Sequence, residues 1–155
     1  VREPRSVEEL QEVVAAAERV KALGSGHSFN DVIDCAQTLI STRALPYGIR
    51  IDAERAEVDV PGSSTYAALG PALHEQGWAL PNLGSLPQIS VAGACATGTH
   101  GSGRRLGCLA TAVSGLQLVA PDGELVTISR DDADFAGAVV ALGCLRVVTS
   151  ITWDV

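Results

Sequence analysis

An α+β fold is the class this sequence predicts, on three observations. Ser6-x-x-Glu9 is a capping box, and Val7, Leu10, Val13 and Val14 follow at helical spacing, which places a helix over residues 7–18. "IRIDAERAEVDVP" holds two alternating runs around a polar turn and reads as a β-hairpin. "AVSGLQLVAPDGELVTISR" reads as a second hairpin turning on Pro121-Asp122-Gly123. Pairing after residue 48 is therefore expected to be mostly antiparallel.

The other elements follow in order. "RVKAL" reads as a short strand broken by Gly24 and Gly26, and "QTLIS", residues 37–41, as a buried strand. Ser64 or Thr65 can cap a helix carrying Tyr66, Leu69, Leu73 and His74, which ends before Gly77. Residues 81–103, "PNLGSLPQISVAGACATGTHGSG", are dense in Gly, Ser, Thr and Ala and show no clear helical or strand period. "DDADFAGAVVAL" predicts a helix with acidic residues in its first turn, where the helix dipole favours them. "LRVVTSITWDV" predicts a final strand.

The 155 residues, 46% apolar and 19% charged, suit one domain or two small subdomains sharing a core. A net charge of −7 argues against nucleic acid and against anionic membrane surfaces, both of which need a basic patch. It leaves room for one small anionic ligand held by backbone dipoles. The apolar runs are too short to span a bilayer, no basic-then-apolar leader is seen, and a cytoplasmic location is expected. The chain starts without Met, so processing or truncation upstream is expected. Cys35, Cys95, Cys108 and Cys144 form no C-x-x-C pair and are expected as buried free thiols, not metal ligands, since His and Cys are not clustered.

The informative stretch is "VKALGSGHSFN", residues 20–30. "GHSFN" matches a G-x-S-x-G nucleophile turn except at Asn30, and His74, His100, Asp52 and Asp59 could serve as partners, but the long parallel sheet of that hydrolase fold is missing. A dinucleotide fingerprint fails because Phe29 takes the place of its third glycine, and no Gly-Lys-Ser/Thr phosphate loop occurs. What remains is an anion cradle of successive backbone N–H groups in the Gly24-Ser25-Gly26 turn. Gly98-Thr-His-Gly101-Ser-Gly103 offers the same chemistry again. Two such loops can grip opposite ends of one large anionic ligand, with the small residues of 90–99 letting a planar ring lie close to the backbone.

"GSGHSFND", "LPNLGSLPQISVAGACATGTHGSG" and "LVAPDGELVTISR" together resemble the FAD-binding (PCMH-type) domain of the vanillyl-alcohol-oxidase-type flavoproteins, nearest the alditol (xylitol) oxidase branch and the aldonolactone oxidases. The resemblance covers nearly the whole chain. It implies two α+β subdomains, about 1–47 and about 48–155, with FAD between them. It implies that Gly24, Ser25 and Gly26 bind the pyrophosphate, that His27 bonds covalently to the flavin 8α-methyl, and that Ser28 and Phe29 pack around the cofactor. Ser85 matches a serine beside the flavin. Gly93, Thr97, Gly98, His100, Gly101 and Ser102 match the segment that wraps flavin and diphosphate, and Val148 falls where main-chain contacts to the adenine are expected. Gly84 leaves no side chain at the flavin edge, where related dehydrogenases often carry a larger residue, so an oxidase is implied.

The implied activity is oxidation of an alditol or related sugar alcohol, with hydride passing to flavin N5 and O2 giving H2O2. A flavin module without catalysis of its own and a dehydrogenase using another acceptor are the alternatives. Arg146 departs from the family, which usually has glycine there. The family's substrate domain, with the catalytic base, is expected after Val155 and is not in this chain. His74, Arg104 and Arg105 are expected as solvated surface groups.

Overall fold

The computed structural model describes residues 1–46, 48–145 and 147–155. The departure at Arg146 lies outside the described residues. Ser6 caps α1 (Val7–Ala16), its Oγ accepting from Glu9 N at 3.2 Å. The Glu9 carboxylate reaches back to Arg5 N at 2.7 Å, one residue before the cap, so the reciprocal box closes in shifted form. The helix stops at Ala16 rather than 18, because Ala17 is extended (φ −98°, ψ 129°) and the chain turns into β1 (Val20–Ala22). β1 pairs in parallel with β2 (Thr38–Ile40).

The second sheet is wholly antiparallel, in the order β3-β4-β7-β5-β6. Its strands are β3 (Arg50–Asp52), β4 (Glu57–Pro61), β5 (Val113–Val119), β6 (Leu125–Ser129) and β7 (Val147–Asp154). Both predicted hairpins are present, and Gly123 takes the φ of +87° that the second turn needs. The final strand lies at the centre between them, paired with β4 and β5.

Thr65 caps α2 (Tyr66–His74), accepting from Ala68 N at 3.3 Å, and Gly77 closes its end at φ +80°. The segment 81–103, which lacks a visible period, contains α3 (Val91–Ala96). Its buried residues Val91, Ala94 and Cys95 stand at i, i+3 and i+4, a period hidden because the residues between are also small. Ser90 precedes it as N-cap, and Gly98 follows it at φ +66°. The helix expected over 131–142 is only α4 (Phe135–Val139). Its acidic residues precede it, and Asp132 instead accepts from Ser129 N at 2.8 Å, closing the turn after β6.

Two apolar clusters result. The larger lies between the antiparallel sheet and α2–α3, around Trp153, Leu69, Leu73, Val91 and Leu118. The smaller joins Leu10 and Val14 of α1 and Ile40 of β2 to Val119 and Val147 of the large sheet. Each fully buried Leu, Ile or Val contributes about 1.5–3 kcal/mol. All four cysteines are free, as expected, but Cys95 alone is fully buried and Cys144 is exposed.

Tyr66 and Trp153 stack at 5.7 Å in the larger cluster, and the Tyr66 hydroxyl is buried without a hydrogen-bond partner. Burial raises the Tyr66 hydroxyl, with the nearby Cys95 thiol adding to the effect. Burial likewise pushes the Cys95 thiol up to about 12 from its ordinary 9.0. Groups raised by folding give stability that is complete below their unfolded values and is lost as pH climbs towards their folded ones. Tyr66→Phe removes an orphaned polar atom, so it is expected to be neutral or to stabilise by up to ~1 kcal/mol at pH 7. Its urea midpoint should pull further ahead of the unsubstituted chain as pH rises above the ordinary tyrosine value of 10.0. Parallel midpoints up to the pH of alkaline unfolding would disprove the burial account.

Candidate functional site

A cleft of about 260 Å³ opens between the turn after β1 and the start of α3. From that turn it takes Gly24, Ser25, Gly26, His27 and Ser28. From α3 and its flanks it takes Gly93, Thr97 and His100, with Ser85 from the preceding loop and Val148 from β7. Gly84, Gly98, Gly101, Ser102 and Phe29 lie outside this lining.

The backbone dictates this arrangement. Leu23 N still bonds to Ile40 O at 2.7 Å, after which the chain leaves the small sheet. Gly26 at φ +75° and Phe29 at φ +32° turn it sharply. Among the described residues, no protein hydrogen bond uses the N–H groups of Gly24 to Phe29. Consecutive free N–H groups on such a turn form an anion-binding concavity. Phe29 is 90% exposed, and its ring stands edge-on to His27 at 6.2 Å instead of entering the cleft.

One hydroxyl couples the turn to α3. Ser25 Oγ accepts from Ser90 N at 3.1 Å and lies 3.0 Å from His27 Nδ1. It thereby anchors the turn on the helix cap and orients the exposed imidazole.

Ser90 is the residue that sequence reasoning missed. It is 3% exposed, and its Oγ has no hydrogen-bond partner. A Cβ at Gly24 or at Gly93 would sit 2.7 Å from that oxygen. The hydroxyl therefore occupies a crevice that exists only because both neighbours are bare. The available signal was the Ser90…Gly98 bracket around Val91, Ala94 and Cys95, read as a capped helix. Gly62, Ser63 and Thr42 also line the cleft unpredicted. Ser63 Oγ donates to Thr42 O at 3.3 Å, and a Cβ at Gly62 would meet Val148 O at 3.0 Å.

The second glycine segment is held by its own contacts. Thr97 Oγ1 donates to Gly93 O at 2.9 Å, and His100 Nδ1 lies 2.9 Å from Gly101 O. A Cβ at Gly101 would come within 2.6 Å of Leu83 O, so that glycine serves close packing of the 82–83 loop. Gly84 has more room, since a Cβ there meets Thr99 Cγ2 at 3.4 Å.

The cleft differs in charge from the molecule around it. The chain carries a net charge of −7, yet none of the described residues lining the cleft is Asp or Glu, and Lys21 is the one Lys or Arg. Low-dielectric walls without carboxylates, combined with free backbone N–H groups, favour an anion. Among the described residues, no group of three His, Cys, Asp or Glu could hold a metal ion, and no helix is long and apolar enough to cross a membrane.

Such a cleft is that of a nucleotide-cofactor domain, and comparison with known proteins specifies which. The model of the FAD binding domain family matches residues 1–129, and the chain belongs to that family. It is 45% identical to an alditol oxidase from a Streptomyces species over 99% of this chain and 38% of that protein. It is 38% identical to an L-gulono-1,4-lactone dehydrogenase of Mycobacterium tuberculosis over 96% of this chain and 36% of that protein. It is 36% identical to the L-gulonolactone oxidase of Bos taurus over 97% of this chain and 36% of that protein. The chain thus spans well under half the length of these relatives.

The residues present fit FAD. The orphaned Ser90 hydroxyl, the bare positions 24 and 93 and the free N–H groups of the turn supply donors and close approach for a pyrophosphate. Since Ser90 Oγ contacts no protein partner, Ser90→Ala should leave the urea midpoint unchanged or slightly raised. It should weaken FAD by about 1 kcal/mol, roughly five- to tenfold in Kd by fluorescence titration. Gly24→Ala should destabilise by about 1–3 kcal/mol through overpacking, and adding Ser90→Ala should recover much of that loss in the same urea assay. Equal losses in the single and double variants would show that the Ser90 oxygen is not the obstacle.

Proposed function

We propose that this chain is the flavin domain of an oxidase acting on an alditol or related sugar alcohol, with FAD held in the 260 Å³ cleft and His27 as its covalent anchor. The observation that carries the reading is the carboxylate-free cleft with Ser90 Oγ buried between Gly24 and Gly93. The 45% identity to an alditol oxidase supports the substrate class.

FAD supplies the redox chemistry when bound, accepting two electrons from a carbon–hydroxyl group and giving them up to an acceptor. The protein's part is position and electrostatics. The free N–H groups of the Gly24–Ser28 turn would neutralise the pyrophosphate without a cation, and Ser90 would donate to it or to the adjoining ribityl chain. Ser25 holds the His27 ring through Nδ1 at 3.0 Å on the cleft lining, and His27 would be the residue that bonds the flavin. An imidazole nitrogen is a competent nucleophile. Ser85 and Thr97 line the same cleft. Gly84 lies outside the cleft lining, so the support for oxygen as the acceptor is the similarity to relatives named oxidases. The relative named a dehydrogenase makes a second acceptor the alternative reading.

Purified protein should be yellow, and its band on a denaturing gel should fluoresce as flavin. His27→Ala should retain reconstituted FAD and lose the fluorescent band. A band that stays fluorescent in His27→Ala rules out His27 as the anchor, and failure to bind FAD at all rules out the cleft. Peroxide release from an alditol, measured on the full-length parent, separates an oxidase from a dehydrogenase.

A further inference from the structure

Lys21 Nζ lies 2.9 Å from Cys144 Sγ. The two come from elements far apart in sequence, β1 and the loop between α4 and β7. Lys21 makes no ion pair among the described residues, so its recorded polar partner is the thiol. Cys144 is exposed and free, and its sulfur also lies 3.6 Å from Leu142 O. The pair lines a second pocket of about 390 Å³, which also holds the free thiol of Cys35. Lys21 and Gly143 line the cofactor cleft as well, so the pair sits where the two cavities share a wall.

We propose that Lys21 and Cys144 form a redox-modifiable pair, closed by a hydroperoxide into a sulfur–nitrogen cross-link. In the first step the Cys144 sulfur takes one oxygen from hydrogen peroxide, the O–O bond breaks, and sulfenic acid and one water result. In the second step Lys21 gives one proton to solvent, the freed nitrogen lone pair attacks that sulfur, the S–O bond breaks, and the hydroxyl leaves with an amine proton as a second water. The sulfur is oxidised by two electrons and the peroxide is reduced by two, so the cross-linked chain is lighter by two hydrogen atoms. Sulfenic acids condense with nitrogen nucleophiles held nearby, and a nitrogen already at near-attack distance gives the intramolecular reaction a large effective concentration. The cross-link ties β1, which leads into the Gly24–Ser28 turn, to the loop carrying Leu142 and Gly143. It therefore fastens two sides of the cofactor cleft. Hydroperoxides are the product class of the proposed oxidase, but the chemistry needs no bound flavin.

The test is peroxide added as reagent to the purified chain, followed by digestion and peptide mass spectrometry with and without a thiol reductant. The expected product is a Lys21–Cys144 peptide pair lacking two hydrogens and released by the reductant. Lys21→Arg keeps the charge but removes the amine nucleophile. In that variant the cross-link should vanish, and Cys144 should proceed to the irreversible sulfinic acid, with Cys144→Ser as the blank. The proposal is overturned if Cys144 in the unsubstituted chain reaches sulfinic acid as fast as in Lys21→Arg. It is equally overturned if Cys144 pairs with Cys35 instead.

Discussion

The rest of this structure depends on the insertion of β7 between β4 and β5. Until that strand is in place, β3–β4 and β5–β6 are separate hairpins with open edges, and isolated hairpins are marginal in water. Once it is paired on both sides, its inward residues Ile151 and Trp153 complete the larger core. Its first residue, Val147, joins the smaller core beneath α1. Thr149 accommodates its buried position by donating to Gln117, with O and Oε1 both 3.1 Å away. The same strand carries Val148 to the back of the cleft, where its carbonyl lies against the bare Gly62. Fold and site therefore share one beam, and pairing so distant in sequence slows folding.

The cleft is set apart from the acidic molecule around it. Its described lining has no carboxylate, and the turn beside α3 offers backbone N–H groups of the kind that favour an anion whatever the net charge. Gly24 and Gly93 approach from two elements, and the Ser90 hydroxyl fills the space between them. Ser25 then ties the turn to the cap of α3 and orients His27 with the same oxygen. The relatives matched here are more than twice as long as this chain, and the proposed substrate chemistry belongs to a protein of that length.

Much was legible in the sequence because it rests on local rules. The Ser6 and Thr65 caps, the two hairpins with their Asp122-Gly123 turn, and the Gly24-Ser25-Gly26 cradle each follow from a few adjacent residues. The family resemblance named the cofactor from residues 24–31 and 81–103. α3 escaped because Ala92, Gly93 and Ala96 are nearly as small as the buried Ala94, so no polar face marks the helical period. The helix over 131–142 was overestimated because Asp131, Asp132 and Asp134 looked like a charged first turn, whereas Asp132 closes the preceding turn.

By itself, then, the sequence determined most element types and the positions of the main turns, because propensity, capping and positive φ act within a few residues. Only the tertiary structure decided that the last strand is central, that Ser90 Oγ lies orphaned between two glycines, and that Lys21 meets Cys144. Those facts depend on which distant segments touch. Contact between segments tens of residues apart is fixed by packing of the whole chain, which no local pattern encodes.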